Sequence, residues 1–153
     1  MKNKPTYILY ILALTSLIML VGCKRNQTED LLNGKWNAIH VLYQLGDTQT
    51  GKTDCYGQSF KQGENVWIFD SNNNRIYGYE NGAQTKEYTT YVYANSKIII
   101  DYGCENATWF IQSVNEKELH LTSVVAIDMR NDSTAIPSRR HYYKLKTELS
   151  FKK

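Results

Sequence analysis

Three cysteines and three histidines have the widest chemical range of any side chains in this 153-residue sequence. Thiolates and imidazoles can bind metals, act as nucleophiles or exchange protons. A zinc site needs three or four converging ligands. His40, His120 and His141 lie in separate segments, without a His-x-His or Cys-x-x-Cys spacing. The sequence therefore predicts ordinary surface or rim histidines, with no metal and no cofactor.

The sequence lacks the common patterns of nucleophilic catalysis and of nucleotide binding. It has no Gly-x-Ser-x-Gly nucleophile elbow and no Gly-rich loop that leads from a strand into a helix. The paired acids Glu116 and Glu118 lie beside a short polar stretch, which favours a solvated turn. We therefore expect a binding or interaction protein and not an enzyme.

The first 22 residues have the layout of a secretory signal peptide. Lys2 and Lys4 form a short basic segment, and residues 8–21 are apolar except for Thr15 and Ser16. This run of 14 residues is shorter than the ~20 helical residues needed to cross a bilayer core of ~30 Å. It fits the apolar region of a signal peptide, which is removed from the mature protein.

The apolar run ends in Leu20-Val21-Gly22-Cys23, which resembles the lipobox of bacterial lipoproteins. The resemblance implies that the sulfur of Cys23 receives a diacylglycerol. Cleavage then makes Cys23 the mature N-terminus, and its amino group is acylated. Stable anchoring takes at least two acyl chains, since each buried CH₂ contributes about 0.8 kcal/mol. The alternative is an ordinary signal peptide followed by a chance cysteine.

The residues after Cys23 bear on where in the bacterial envelope the protein resides. In diderm lipoproteins an Asp next to the anchor favours the inner membrane, so by resemblance Lys24 indicates the outer membrane. Surface-exported lipoproteins of the Bacteroides type carry an acidic cluster directly after the cysteine. Here Glu29 and Asp30 come later. The leaflet therefore stays open between the periplasmic and the surface side.

The charge of the mature chain does not indicate a nucleic-acid partner. Removing the signal peptide leaves 16 basic residues against 15 acidic ones, a net charge of +1. Nucleic-acid binding proteins usually carry a strongly basic patch. Hydrophobic residues make up 42% of the chain and charged residues 22%, which is typical of a globular domain.

The remainder of the chain consists of short segments rich in β-branched and aromatic residues, separated by Gly, Asn, Asp and Ser. Eight strands are predicted, at residues 35–43, 65–70, 75–80, 87–94, 97–101, 107–114, 118–125 and 141–146. The second, fourth and sixth connections are tight and the others are long. An antiparallel meander places these two classes at opposite ends. We therefore expect an all-β, eight-stranded, up-and-down barrel with a mouth framed by loops.

Gly34-Lys35-Trp36 lies at the start of the first predicted strand and resembles the Gly-x-Trp signature of the lipocalin-like family. The resemblance implies a lipocalin-like barrel in which Trp36 plugs the closed end. It also implies that a basic residue near the end of the last strand packs over Trp36. Lipocalins use Arg, and here Lys144 or Lys146 would take that place. Such a barrel is either filled by side chains or holds one small ligand.

These features divide the sequence into four segments. They are a removed signal peptide (1–22), a lipid anchor and tether (23–33), a lipocalin-like β-barrel (34–147) and a C-terminal tail (148–153).

The candidate ligand-binding residues share a predicted position in the calyx or at its mouth. They are Trp36, Ala38, His40, Leu42, Phe69, Phe110, Arg139 and Arg140. Alternation from Trp36 directs Ala38, His40 and Leu42 inward. Arg139 and Arg140 enter the last strand from the mouth, where they either meet an acidic group of a ligand or lie at a solvated loop boundary.

Cys55 and Cys104 form an even pair for an oxidising compartment. Cys55 lies in the first connection and Cys104 in the fifth, so both are expected at the mouth. We predict a disulfide between them, acting either as a rigid lid or as a brace for a long loop.

Two functions are compatible with this organisation, and both include membrane attachment through Cys23. In the first, an envelope lipoprotein binds a small hydrophobic ligand in its barrel. In the second, a filled barrel presents its long connections, residues 44–64 and 126–140, to another envelope protein.

Overall fold

The computed structural model describes residues 27–85, 89–101, 106–131, 134 and 142–153. In these ranges it contains one short helix, α1 (Gln27–Leu32), and ten β-strands. The strands are β1 (Gly34–Asp47), β2 (Thr53–Ser59), β3 (Asn65–Asp70), β4 (Arg75–Glu80), β5 (Ala83–Gln84), β6 (Thr89–Ala94), β7 (Lys97–Asp101), β8 (Asn106–Val114), β9 (Glu118–Asp128) and β10 (Tyr142–Lys152). No helix within these ranges has the length and apolar character needed to cross a bilayer.

Eight of the strands form a closed antiparallel barrel. Neighbours in the barrel follow chain order from β1 to β10 with β2 and β5 left out, and β10 pairs with β1 to close the wall. The eight-stranded up-and-down barrel predicted from the sequence is therefore confirmed. The two additional strands extend the wall, β2 on the edge of β1 and β5 on the edge of β4.

Short polar side chains form the tight turns at the closed end. After β3, Asp70 Oδ1 accepts hydrogen bonds from the backbone N–H groups of Asn72 and Asn73 at 3.1 and 3.2 Å, and Asn74 adopts a φ of 53°. After β8, Asn115 Oδ1 accepts from the N–H groups two and three residues later, at 2.8 and 2.9 Å. Asn and Asp favour such reversals because their side chains bond the nearby backbone.

The closed end of the barrel is filled by apolar side chains. The core members are Leu32, Trp36, Ala38, Phe69, Ile76, Tyr91, Ile98, Ile100, Leu119, Leu121 and Phe151. Trp36 is fully buried, and Lys153 Nζ lies 4.8 Å from the centroid of its ring. This cation–π contact corrects the expectation for Lys144 or Lys146, because β10 runs further toward the closed end than predicted.

The last part of the predicted tether covers the closed end as α1. Leu32 has no exposed surface, and its carbonyl oxygen accepts a hydrogen bond from Trp36 Nε1 at 2.7 Å. Lys153 Nζ also donates to the carbonyl oxygen of Leu31 at 3.2 Å. Residues 27–32 therefore belong to the packed domain and not to a solvated tether.

β10 also includes most of the segment that was expected to form a tail. It reaches Lys152, with Leu149 opposite Leu121 and Phe151 opposite Leu119 on β9. Phe151 is fully buried. Residues 148–152 therefore complete the barrel wall, because their apolar side chains continue the inward alternation of the strand.

The first connection contains a strand that was not predicted. β1 runs to Asp47, and its second half pairs with β2 from His40 opposite Ser59 to Gly46 opposite Thr53. All seven residues of β2 are exposed. The β1–β2 hairpin thus extends the barrel wall on the mouth side.

Candidate functional site

An open cavity of about 270 Å³ lies inside the barrel on the mouth side of the filled core. Its lining residues are Val41, Tyr43, Phe60, Asn65, Trp67, Trp109, Thr147 and Leu149. Six of these side chains are aliphatic or aromatic, and two are small polar groups. Pockets that bind small molecules typically combine an apolar lining with a few polar groups that fix orientation.

Two tryptophans form the floor of this cavity. Trp67 lies opposite Trp36 in the β1–β3 pairing, which places it beside the plug. Its ring centroid is 5.3 Å from that of Phe151 and 6.1 Å from that of Trp109, with an interplanar angle of 88° to Trp109. Edge-to-face pairs of this kind add about 0.5–1.5 kcal/mol beyond the burial of the rings. The floor is therefore well packed.

The indole N–H of Trp109 is buried and has no hydrogen-bond acceptor in the described part of the chain. An unsatisfied buried donor costs about 1–3 kcal/mol. Native proteins rarely leave such a group without water, ligand or another explanation. A small polar acceptor that reached the N–H of Trp109 would therefore stabilise this part of the barrel.

A β-bulge decides which β1 side chains face the cavity. The β1–β10 register shifts between Ala38, which pairs with Phe151, and His40, which pairs with Ser150. The extra residue reverses the alternation, so Val41 and Tyr43 point inward. The prediction that His40 and Leu42 line the calyx is therefore corrected, because the bulge turns both outward. His40 Nδ1 lies 3.3 Å from Ser59 Oγ on that outer face.

The other predicted calyx residues on described strands do not line the cavity either. Trp36, Ala38 and Phe69 point inward but are at most 1% exposed, so they belong to the filled core. Phe110 lies on the outer face, 37% exposed, with Lys97 Nζ 5.2 Å from its ring centroid. Its neighbour Trp109 occupies the inward position.

The residues that line the cavity were not among those predicted from the sequence to bind a ligand. In β8, both faces of the strand carry apolar side chains: Phe110 lies on the outer face, and Trp109 and Ile111 lie on the inner face. Hydrophobicity therefore did not distinguish the inner face from the outer face. The assumption that Trp36, Trp67 and Trp109 all point into the barrel would have identified the inner faces of β3 and β8. Arg139 and Arg140 lie outside the described residues.

A polar chamber of about 330 Å³ adjoins the aromatic cavity. The two spaces share Tyr43, Phe60 and Asn65. The other residues that line the chamber are Gln58, Glu64, Glu80 and Asn81. Two carboxylates therefore lie at the mouth, and no basic side chain of the described residues lines either space.

Backbone contacts hold the two acidic residues in place. Glu80 on β4 pairs with Asn65 on β3, two residues along the strands from the pair formed by Trp67 and Gly78. Glu64 Oε2 accepts a hydrogen bond from the backbone N–H of Lys61 at 2.8 Å. The Glu64 carbonyl oxygen accepts another from the N–H of the residue after Glu80, also at 2.8 Å. The acidic rim is thus tied to the ends of β3 and β4.

Cys55 carries a free, exposed thiol on β2. The adjacent Tyr56 stacks on Tyr43, with ring centroids 6.2 Å apart and an interplanar angle of 19°. Tyr43 lines the cavity, so alternation along β2 turns Cys55 to the outer face. The predicted disulfide to Cys104 is not seen: the thiol of Cys55 is free. Cys104 itself lies outside the described residues.

An exposed ion pair ends β9 on the mouth side. Arg130 donates to both carboxylate oxygens of Asp128, at 2.9 and 2.7 Å, and this lowers the pKa of Asp128 from its ordinary value of 3.8 to about 2. A lowered pKa in the folded state adds stability above pH 3.8, and that contribution is lost as the pH falls toward 2. The effect on stability is small because the pair is exposed.

In a pH titration followed by carboxyl NMR shifts, Arg130→Gln is expected to raise the pKa of Asp128 toward 3.8, since the charged donor is lost. An unchanged midpoint near pH 2 in this variant would contradict the assignment. Lys146→Gln, on the outer face beside Glu148, is the control that should leave the midpoint of Asp128 unchanged.

The geometry of the mouth allows it to hold a small molecule with an apolar body. Comparison of the chain with protein-family models, curated proteins and solved structures gives no match. The chemistry of this site is therefore argued from its own residues.

Proposed function

We propose that this chain is an envelope lipoprotein, anchored through Cys23, whose lipocalin-like barrel binds a small hydrophobic ligand at its mouth. The observation that supports the ligand most directly is the open aromatic cavity bounded by Tyr43, Trp67 and Trp109. Its volume is close to the lower end of the ~300–1,000 Å³ typical of ligand pockets, so the proposed ligand is small.

The position of α1 supports an orientation for the anchored domain. Only residues 24–26 separate Cys23 from Gln27, where α1 begins and covers the closed end. Four residue steps span at most about 14 Å even when fully extended. A lipidated Cys23 would therefore hold the closed end against the membrane. The mouth would face away from the membrane, where a ligand can enter from the aqueous side.

Thr147→Trp is expected to abolish ligand binding, because Thr147 lines the cavity and an indole at that position would fill much of it. The mature chain should bind the neutral fluorescent probe N-phenyl-1-naphthylamine, and the variant should bind it at least tenfold more weakly. Thr122→Trp is the matched control, since Thr122 pairs with Glu148 on the outer face. It should keep the affinity of the unmodified chain.

Thermal melts of the two variants would show that both remain folded. Equal probe binding by Thr147→Trp and the unmodified chain would contradict the proposed cavity. So would the absence of any binding by the unmodified chain.

A second candidate function is protein interaction through the β1–β2 hairpin. β2 is a terminal strand of the sheet, and Tyr56 on it is 63% exposed. An edge strand can accept a strand from a partner protein. Photo-crosslinking from a benzophenone side chain at position 56 in envelope membranes would test this. A crosslinked partner that persists in Thr147→Trp would favour interaction over ligand binding.

A further inference from the structure

We propose that the ligand carries a positively charged amine or quaternary ammonium group next to its apolar body, and that Glu64 and Glu80 bind this group. The inference rests on the proposed binding function of the mouth cavity and adds the chemical class of the ligand. It comes from the way the aromatic cavity and the acidic chamber join.

The two spaces adjoin at the mouth of the barrel, because three residues line both of them. The aromatic cavity has Trp67 and Trp109 at its floor, and it shares Tyr43, Phe60 and Asn65 with the outer chamber. A ligand whose apolar end contacts the floor therefore places its next atoms in the chamber. The chemistry of the chamber then selects the polar end of the ligand.

The charge of the chamber is negative. Glu64 and Glu80 are the charged side chains among its described lining residues. Neither carboxylate forms an ion pair within the described ranges. Carboxylates that lack a basic neighbour in a cleft concentrate cations and repel anions. The described part of the mouth thus favours a positively charged group on the ligand. The sequence instead left open an acidic ligand group, bound by Arg139 and Arg140.

The strand register brings one carboxylate close to the aromatic rings. Glu80 pairs with Asn65, and the next inward pair is Trp67 with Gly78. Adjacent inward positions on a strand are about 7 Å apart. A ligand of modest length can therefore contact Trp67 with its apolar end and Glu80 with its charged end.

The aromatic side chains add a second attraction for a cation. Tyr43 and Phe60 border both spaces, so their rings lie where the two ends of the ligand meet. Ring faces attract ammonium groups through their quadrupole, and aromatic cages bind quaternary ammonium ligands in this way. Two carboxylates next to the rings of Tyr43 and Phe60 are therefore better suited to bind a cation than a neutral polar group.

A matched probe series tests the charge preference. Isothermal titration of the mature chain at low ionic strength would use 3-phenylpropyltrimethylammonium, 3-phenylpropanol and 3-phenylpropanoate. The three share an apolar body and differ in the charge of the polar end. The ammonium should bind at least tenfold more tightly than the alcohol, and the carboxylate should bind most weakly.

The double variant Glu64→Gln with Glu80→Gln should lower the affinity for the ammonium at least tenfold and leave the affinity for the alcohol unchanged. The control is the double variant Glu116→Gln with Glu118→Gln. It makes the same change in net charge at the closed end, where both residues are exposed, and should bind all three probes as the unmodified chain does.

The outcomes separate this inference from the proposed function. Equal binding of the ammonium and the alcohol, or tighter binding of the carboxylate, would overturn the cation preference. Ligand binding as such would stand if Thr147→Trp still abolished it. An ammonium preference that persists in the Glu64 and Glu80 variant would also overturn the assignment of these residues. If neither these probes nor N-phenyl-1-naphthylamine bind, the proposed function fails as well.

Discussion

Trp36→Ala is expected to lower the free energy of unfolding by about 3–5 kcal/mol, the range found when a buried aromatic side chain is removed. Trp36 is fully buried at the closed end, its indole N–H donates to Leu32 at 2.7 Å, and Lys153 packs over its ring. The substitution therefore leaves a cavity and also releases α1 and the end of β10.

Urea denaturation of the mature chain, followed by far-UV circular dichroism, would measure this loss. Phe110→Ala is the control: it also removes an aromatic ring, but from a residue 37% exposed on the outer face. We expect it to cost less than about 1 kcal/mol, as is usual for surface positions. A loss for Trp36→Ala as small as that of the control would contradict the role of Trp36 as the plug.

Cys23→Ser is expected to abolish lipid attachment completely, because a serine hydroxyl does not replace the sulfur that would receive the diacylglycerol. Expression of the full chain in a diderm bacterium with an alkyne-tagged fatty acid would measure incorporation. The unmodified protein should carry the label, and its mature mass should correspond to a chain that begins at Cys23.

Cys55→Ser is the matched control for the anchor. Cys55 has an exposed free thiol, so it is a site where unspecific acylation would be found. Label that persists in Cys23→Ser and disappears in Cys55→Ser would contradict the lipoprotein prediction. Label in Cys55→Ser at the level of the unmodified protein, with none in Cys23→Ser, would support it.

The number of barrel strands and the end at which each turn lies were predictable from the sequence. These features are encoded locally. Asp70 and Asn115 form the tight turns through hydrogen bonds within three residues. The strands between the turns are marked by β-branched and aromatic residues. The resemblance of Gly34-Lys35-Trp36 to the lipocalin-like signature implied that Trp36 plugs the barrel, and Trp36 is fully buried at the closed end.

The side chains that reach the mouth depend on the strand register of the folded barrel, which the sequence does not show. The inward set on β1 depends on a bulge between Ala38 and His40, and that bulge is defined by pairing with β10 at the other end of the chain. A shift of one residue exchanges the two faces of a strand. Val41 and Tyr43 therefore point into the barrel, in place of the predicted His40 and Leu42. Local alternation contains no information about such a shift, because backbone hydrogen bonds between distant segments set the register.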